Sequence, residues 1–353
     1  MSDKIVMISE KNNIDGNHVV GETKLRSAPR QFAPDNVQYL VSICIPTYNR
    51  CEMLKSSLET LVHQPLFGSG KVEIVVNDNT STDGTEEMLQ EYAESYPDFH
   101  FYRNTENVKD KNFPICISRA CGTLRKICND TLLYFDNFLE VVCKYAEQYW
   151  ETKPILFFEN GYAEGKKRIK EKDLDFNNFM LRESYMITHI ARMSLWDSDC
   201  EDILNDDPAV FSTQLWQVSK LASILSSGRK TVAIEERIFS IQDTDKAYYL
   251  KENRAFNIFY INFFSILNPY VQSGQLLKVT RDIVERDLLF SYFLYWLVIY
   301  DTDDRYNGYS TDELKRSIRK VYRKKTYYPE FKARYYVRIM KSRLESKEDG
   351  RTK

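Results

Sequence analysis

The fold is decided by residues 72–85, which read VEIVVNDNTSTDGT. The apolar, mostly β-branched start of this stretch predicts a buried strand that stops at Asp78 in a polar cluster. Over residues 85–96 apolar side chains recur at helical spacing, so the stretch predicts a strand, a loop and a helix. Ligands bind beyond the carboxyl ends of strands in open α/β sheets, which makes Asp78 a candidate binding residue. The alternative is that these polar residues only build a turn and cap the helix.

The same pattern recurs on both sides of this stretch. Strands are predicted at residues 39–45, 99–103 and 123–128, and polar residues follow each of them. Helices are predicted at residues 51–62 and 113–120 from apolar spacings of three and four. Strands and helices that alternate in this way predict a doubly wound α/β domain whose loops share one crevice.

The next part of the chain continues with further elements. Helices are predicted over residues 134–149 and 209–226, and strands over residues 154–158 and 231–241. Gly228 is placed to end the second of these helices. Beyond them, aromatic-rich helices are expected.

The composition excludes several classes of protein. The 49 Lys and Arg residues balance 51 Asp and Glu, and a net charge of -2 gives no global argument for a nucleic-acid partner. Seven cysteines without a CxxC pair predict reduced thiols of a cytosolic protein rather than a disulfide framework or a zinc site. Residues 1–38 lack the apolar core of a signal peptide, and the apolar run at 288–300 is shorter than the ~20 residues that span a bilayer.

Three regions are therefore expected. Residues 1–38 form a polar, flexible leader, residues 39–242 the α/β domain, and residues 243–353 a helical, aromatic-rich and basic region. Residues 314–344 hold twelve Lys or Arg against one acid, Glu330, with tyrosines between them. This pattern favours an anionic membrane surface or a phosphate-bearing ligand, with a solvated helix face and homo-oligomerisation as alternatives.

Three motifs carry a family resemblance. They are VSICIPTYNR at 41–50, VVNDNTSTDGT at 75–85, and RNTENV at 103–108 followed by CGTLRKICNDTLLYFD at 121–136. Together they resemble the nucleotide-sugar-binding half of family 2 glycosyltransferases, over roughly residues 39–240. The third motif is similar to the version in transferases that assemble bacterial capsule, O-antigen and other surface polysaccharides. The resemblance implies the GT-A fold, an α/β doubly wound, mixed but mainly parallel sheet, here with a helical C-terminal extension.

The resemblance also implies a nucleotide site. Asp78 would accept a hydrogen bond from the base, because a carboxylate suits the ring N–H or exocyclic amine of a pyrimidine. The other residues assigned to nucleotide binding are Pro46, Thr47, Asn49, Arg50, Asn79, Asn107 and Asn129.

The acidic metal motif of the family is reduced here to Asn129, Asp130 and Thr131. Asp130 is thus the candidate metal ligand. Mg²⁺ can be held by one or two carboxylates together with phosphates and water, so a divalent cation, Mg²⁺ or Mn²⁺, is expected as the cofactor.

The catalytic base is sought in the acidic run at residues 197–207. Asp207, just ahead of a predicted helix, is the first choice, followed by Asp206 and Asp199. An acidic run before a helix also serves capping and solvation. His189 is the other tempting base, although a single histidine among Ile and Met is usually structural.

These inferences predict a glycosyltransferase. It would move a sugar from a nucleotide-diphosphate donor, with UDP favoured, to a lipid-linked glycan acceptor, by inversion and with metal assistance. It would act in bacterial surface polysaccharide synthesis, in the cytoplasm or peripherally on the inner membrane face. The alternatives are a catalytically degenerate binding subunit and a nucleotidyltransferase. The latter usually has a Gly-rich loop after the first strand, which PTYNR does not provide.

Overall fold

The computed structural model describes residues 39–161, 169, 173–244 and 246–349. The leader expected at residues 1–38 lies outside this part of the chain. Strands and helices alternate at its beginning as predicted. They are β1 (Tyr39–Thr47), α1 (Cys51–Val62), β2 (Val72–Asp78), α2 (Thr85–Ser95), β3 (Phe99–Arg103), α3 (Asn112–Ser118) and β4 (Gly122–Ile127).

Shorter elements follow. They are β5 (Leu132–Tyr134), α4 (Phe138–Tyr149), β6 (Ile155–Phe158), β7 (Asp173–Leu174), α5 (Phe176–Glu183), β8 (Ser194–Trp196), α6 (Pro208–Ser212), α7 (Trp216–Ser226), β9 (Thr231–Ile234) and β10 (Phe239–Ile241).

A five-stranded sheet in the order β3-β2-β1-β4-β8 forms the centre of the molecule. The first four strands are parallel, and β8 runs antiparallel to β4. This confirms the mixed, mainly parallel α/β sheet. Because the chain adds strands on one side of β1 and then crosses to the other side with β4, the order reverses between these two strands. Such a switch point opens a crevice at the carboxyl ends of the strands.

The register of β4 against β1 depends on a close backbone approach at Gly122. An added Cβ there would lie 2.5 Å from the backbone nitrogen of Ser42. The Gly122 N–H donates to Ser42 Oγ at 2.6 Å, and that hydroxyl donates to the buried carboxylate of Glu73 at 2.6 Å. Only glycine fits this junction of the three central strands.

Two predicted elements are wrong in detail. The single strand expected at residues 231–241 is two strands in different sheets, since β9 lies between β6 and β7 whereas β10 pairs with β5. The helix expected at 209–226 is interrupted between α6 and α7, where Gln214 has a φ of 57°. Strand β8 was not predicted, because three residues are too few to show a period.

The C-terminal region is helical, as expected. Its helices are α8 (Arg254–Phe256), α9 (Phe263–Gln272), α10 (Lys278–Asp287), α11 (Leu294–Thr302), α12 (Asp312–Tyr322) and α13 (Tyr328–Asp349). One-turn π-helices join α8 to α9 and α10 to α11. Aromatic side chains from these helices share a hydrophobic core with the sheet. Within the described residues, the structure has no helix both long and apolar enough to cross a membrane.

Candidate active site

The loops after β1 and β4 meet at the switch point. Thr47 Oγ1 donates to Asp130 Oδ2 at 3.0 Å, and an Arg50 guanidinium nitrogen lies 2.7 Å from Asp130 Oδ1. Asp130 is buried, whereas the Arg50 side chain is half exposed. Burial raises the pKa of the Asp130 carboxyl above its ordinary value, and Arg50 and Thr47 oppose that shift. The buried carboxylate of Asp130 thus lies beneath the half-exposed guanidinium of Arg50.

Asp78 lies at the end of β2 and is fully buried. It accepts a hydrogen bond from the Ser81 backbone N–H at 3.1 Å and forms an ion pair with Arg103. The second guanidinium nitrogen of Arg103 donates to the Ser81 carbonyl at 2.9 Å. Arg103 is not among the site residues expected from the sequence. The strand register would have indicated it, because Arg103 is the last residue of β3 and pairs directly with Asp78.

An asparagine network supports the loops after β2 and β3. Asn79 Oδ1 accepts from the Val108 backbone N–H at 2.9 Å and from Asn104 Nδ2 at 3.0 Å. Asn79 Nδ2 in turn donates to Asn107 Oδ1 at 2.8 Å. Asn112 joins the network through Asn104 Nδ2 at 2.9 Å. Asn79 and Asn107, which were both expected to bind the nucleotide, thus form hydrogen bonds that hold the two loops together.

The loop after β1 is tied to the loop after β2. Asn49 adopts a φ of 49°, its backbone N–H donates to Ser81 Oγ at 2.8 Å, and its side-chain oxygen accepts from the Thr82 N–H at 2.8 Å. Asparagine tolerates this left-handed conformation better than most residues. Pro46 is buried within β1. Asn49 therefore positions the loops around the crevice, next to Arg50.

A segment from beyond β10 lies across the same crevice. The Gln242 backbone N–H donates to the Thr131 carbonyl at 2.9 Å, and its side-chain amide donates to the Met53 carbonyl at 2.9 Å. Gln242 therefore bridges the Asp130 loop and the start of α1. Asn129, half-buried, precedes Asp130 in that loop. Gln242 could not be expected from the sequence, since its two partners are distant along the chain.

The turn at Lys109–Lys111 contributes a carboxylate to this region. Burial raises the pKa of Asp110 to about 6, with Lys109 opposing the shift. The pKa of Tyr249 is raised by burial first, then by Tyr248, and it also responds to Arg50 and Asp110. Tyr249, from the C-terminal region, therefore lies within electrostatic reach of the crevice.

The three candidate bases have local partners. Asp207 caps α6 by accepting from the Ala209 N–H at 2.9 Å, and Asp206 accepts from the Trp216 indole N–H at 2.7 Å. Asp199 accepts from the Trp196 N–H at 3.1 Å and pairs with Arg229 at 2.6 Å.

Asp207 is exposed, and α6 packs against the Lys109–Lys111 turn, whereas the Asp199 side chain is almost buried. His189 is an exposed residue, but the protein that surrounds it lowers the pKa of its imidazole to about 3. Among the three candidate bases, Asp207 is the most accessible to a substrate.

The metal-binding capacity of the crevice is small. Among the described residues, no group of three or more His, Cys, Asp and Glu side chains could hold a metal ion. Asp130 supplies a single carboxylate group, beyond the carboxyl end of β4. That donor set fits a cation of the Mg²⁺ type whose remaining ligands are phosphate and water oxygens.

The fold and the crevice define a GT-A-type α/β domain with a polar site at its switch point. Residues 42–191 match the model of glycosyl transferase family 2. These residues form a domain of that family. Over 85 residues the chain is 44% identical to the abequosyltransferase RfbV of Salmonella typhimurium. These 85 residues are 24% of this chain and 25% of that protein. The chain thus matches about a quarter of the length of this curated relative.

Solved structures support the fold over most of the chain. S. aureus TarS 1-349 in complex with UDP-GlcNAc superposes with a TM-score of 0.52 at 14% identity, covering 88% of this chain and 92% of that one. The mannosyltransferase PcManGT from Pyrobaculum calidifontis, in complex with GDP-Man and Mn²⁺, gives a TM-score of 0.50 at 16% identity, covering 90% of both chains. At these identities the likeness establishes the GT-A-like fold.

Proposed function

We propose that this protein transfers a sugar from a nucleotide-diphosphate donor, with UDP favoured, to a glycan acceptor. The observation that carries the proposal is the placement of Asp78 at the end of β2 and of Asp130 in the loop after β4, on the two sides of β1 and its last residue Thr47, within a family 2 domain. One site suits a base and the other a diphosphate. The mannosyltransferase and TarS complexes, which contain GDP-Man and UDP-GlcNAc, support a nucleotide-sugar donor.

The base site has a donor and an acceptor side by side. Asp78 is buried beneath Arg103, so its carboxylate accepts from the base once Arg103 shifts, and Arg103, whose side chain is partly exposed, offers guanidinium N–H groups. A uracil ring presents an N–H next to carbonyl oxygens. The N–H can donate to the Asp78 carboxylate, and a carbonyl oxygen can accept from the Arg103 guanidinium. Asn79 and Asn107 support this site by holding together the loops after β2 and β3. Asn129 lies in the loop after β4.

The diphosphate site combines Arg50 with Asp130. Arg50 binds a phosphate oxygen, since a guanidinium makes strong charge-assisted hydrogen bonds to phosphate. Asp130, with Thr47 fixing its carboxylate, would hold a divalent cation, Mg²⁺ or Mn²⁺. When bound, such a cation neutralises charge that develops on the leaving diphosphate. Arg50 moves from the carboxylate to the phosphate in this arrangement.

The transfer itself needs a base beside the acceptor hydroxyl. Asp207 takes the hydroxyl proton while the oxygen attacks the anomeric carbon, the bond from that carbon to the diphosphate breaks, and the configuration inverts. Asp206 and Asp199 rank after it, because their carboxylates are held by Trp216 and Arg229. The acceptor is a glycan carried on a lipid, at the inner face of the cytoplasmic membrane, in surface polysaccharide synthesis.

Thermal-shift titration with UDP, CDP, dTDP and GDP, each with and without Mn²⁺, tests the donor site. A ligand at about 100 times its dissociation constant adds ~2.7 kcal/mol to the free energy of unfolding. One pyrimidine diphosphate should stabilise the wild type, and Asp78→Ala should abolish this response, whereas the exposed control Glu91→Gln keeps it. If none of the four nucleotides stabilises the protein, the donor site is wrong and the degenerate binding subunit becomes the better account.

A further inference from the structure

Helix α13 has two apolar stripes on opposite sides. The inner stripe consists of Tyr328, Phe331 and Tyr335, which pack on the large hydrophobic core, and of Ile339, which is buried. Tyr335 also donates a hydrogen bond to Asp301 in α11. This stripe accounts for how α13 is held to the protein, but it uses only one face of the helix.

The outer stripe is exposed. Its members recur at spacings of three and four residues, as one helical face requires, and they are Pro329, Ala333, Tyr336, Val337, Met340 and Leu344. The exposed fractions of the four largest are 57%, 59%, 58% and 63% in chain order. Single exposed apolar residues are ordinary, but a continuous stripe of ~22 Å along a helix marks an interaction surface.

Basic side chains border the outer stripe. Lys332, Arg338 and Lys341 are exposed on α13. The preceding helix α12 and the turn after it expose further cations, namely Arg316, Arg319, Lys320, Arg323 and Lys324. Over residues 314–344 the only acid is Glu330, and its carboxylate is paired with Arg334. Residues 314–344 are therefore strongly basic, although the whole chain is slightly negative and Glu345, Glu348 and Asp349 follow at the end of α13.

From this arrangement we propose that α13 binds the surface of an anionic lipid bilayer and lies in the plane of the interface. The outer stripe enters the boundary between headgroups and acyl chains, and the bordering Lys and Arg contact anionic headgroups. Two copies of the chain would not pair readily through this stripe, since their basic borders would face each other. The docking is independent of which sugar is transferred, and it would keep the crevice close to membrane-borne molecules.

Co-sedimentation of the full chain with vesicles tests the proposal. Vesicles of phosphatidylcholine and phosphatidylglycerol in equal parts should bind the protein at low salt, and vesicles of phosphatidylcholine alone should bind it far more weakly. The variant Val337→Ser/Met340→Ser/Leu344→Ser should bind at least ~10-fold more weakly. Lys332→Gln/Arg338→Gln/Lys341→Gln should lose a similar factor and show a weaker salt dependence, with the cations of α12 and the turn after it accounting for what remains. The matched control is Val279→Ser on α10, whose side chain is 61% exposed but lies outside the stripe.

The outcomes separate this proposal from the proposed function. Both triple variants change exposed residues, so their thermal shift with nucleotide should equal that of the wild type. Undiminished vesicle binding by the stripe variant would overturn the proposal. The proposal would also be overturned if the wild type did not bind vesicles but formed a dimer in analytical ultracentrifugation, and the stripe variant did not dimerise. The stripe would then join two copies of the chain. Failure of nucleotide binding alone would leave the docking surface standing.

Discussion

Thr47 ends β1 and Asp130 lies in the loop after the adjacent parallel strand β4, and their side chains form a hydrogen bond of 3.0 Å although they are 83 residues apart in the chain. The bond joins the loop that begins α1 to the loop that follows β4. It places the Arg50 guanidinium over the same carboxylate. A single pair of side chains thereby defines the floor of the proposed diphosphate site.

Replacement of Arg50 tests the phosphate contact. Arg50→Ala should weaken UDP binding in the presence of EDTA by about tenfold to a hundredfold, since a hydrogen bond to a charged group contributes ~1.5–3 kcal/mol. Isothermal titration calorimetry measures this effect. The control is Lys55→Ala, an exposed cation one turn further along α1. Equal affinities for wild type and Arg50→Ala would remove Arg50 from the site.

Asp130→Asn examines the cation. The amide keeps the size of the side chain and can still accept from Thr47, but it removes the charge a divalent ion needs. We expect the additional thermal stabilisation that Mn²⁺ gives to the UDP complex to disappear in this variant. Persistence of the Mn²⁺ effect would show that the cation binds without this carboxylate.

Asp78 and Arg103 should be energetically coupled. Asp78→Ala leaves the Arg103 guanidinium without its buried partner and should lower the free energy of unfolding by about 1–3 kcal/mol. The double variant Asp78→Ala/Arg103→Ala should lose less than the sum of the two single losses, as residues in contact do. Urea unfolding of the four proteins gives the coupling. Additive losses would contradict the ion pair as a stabilising contact.

Two substitutions of Asp207 separate catalysis from capping. Both Asp207→Ala and Asp207→Asn remove the carboxylate, but asparagine is as good an N-cap as aspartate. Only the alanine variant should lose stability, by about 1 kcal/mol. If Asp207 is the base, both variants lose sugar transfer by a similar factor, whereas a capping role alone spares transfer in Asp207→Asn. Unfolding curves and release of UDP from the donor provide the two readouts.

The carboxyl of Asp110 should make stability depend on pH. Its pKa in the folded protein is about 6 because of burial, above the unfolded value near 3.8. The stability it contributes is therefore fully present below about pH 3.8 and is lost as the pH rises through about 6. Relative to wild type, Asp110→Asn should become more stable between about pH 4.5 and pH 7.5, as measured by urea midpoints. Glu91→Gln, on the exposed face of α2, should show no such trend.

The local patterns were sufficient for the first half of the domain. Apolar runs predicted β1 to β4 and the three helices between them to within a few residues, because buried parallel strands and amphipathic helices leave distinct periods. They failed at β8, at β9 and β10, and at the break before α7. Each of these depends on pairing with distant strands or on one left-handed residue, and neither leaves a period in the sequence.

The site shows the same division. Asp78 and Asp130 could be proposed from the sequence because each follows a strand, and the position of a strand's end is a local property. Arg103 and Gln242 could not, since their relevance comes from a strand register and from a contact across 189 residues of chain. The partners of Asp199, Asp206 and Asp207 also became visible only in the folded chain.

The sequence by itself determined the order of strands and helices, the residues at strand ends, the family resemblance and the basic character of the tail. Those properties depend on side-chain type and spacing along a few residues. Only the tertiary structure decided which side chains share the crevice and that Arg50 covers Asp130. It also decided that one apolar stripe of α13 packs on the core while the other is exposed. Such choices follow from packing between elements far apart in the chain, and side-chain periodicity carries no information about which neighbour covers a face.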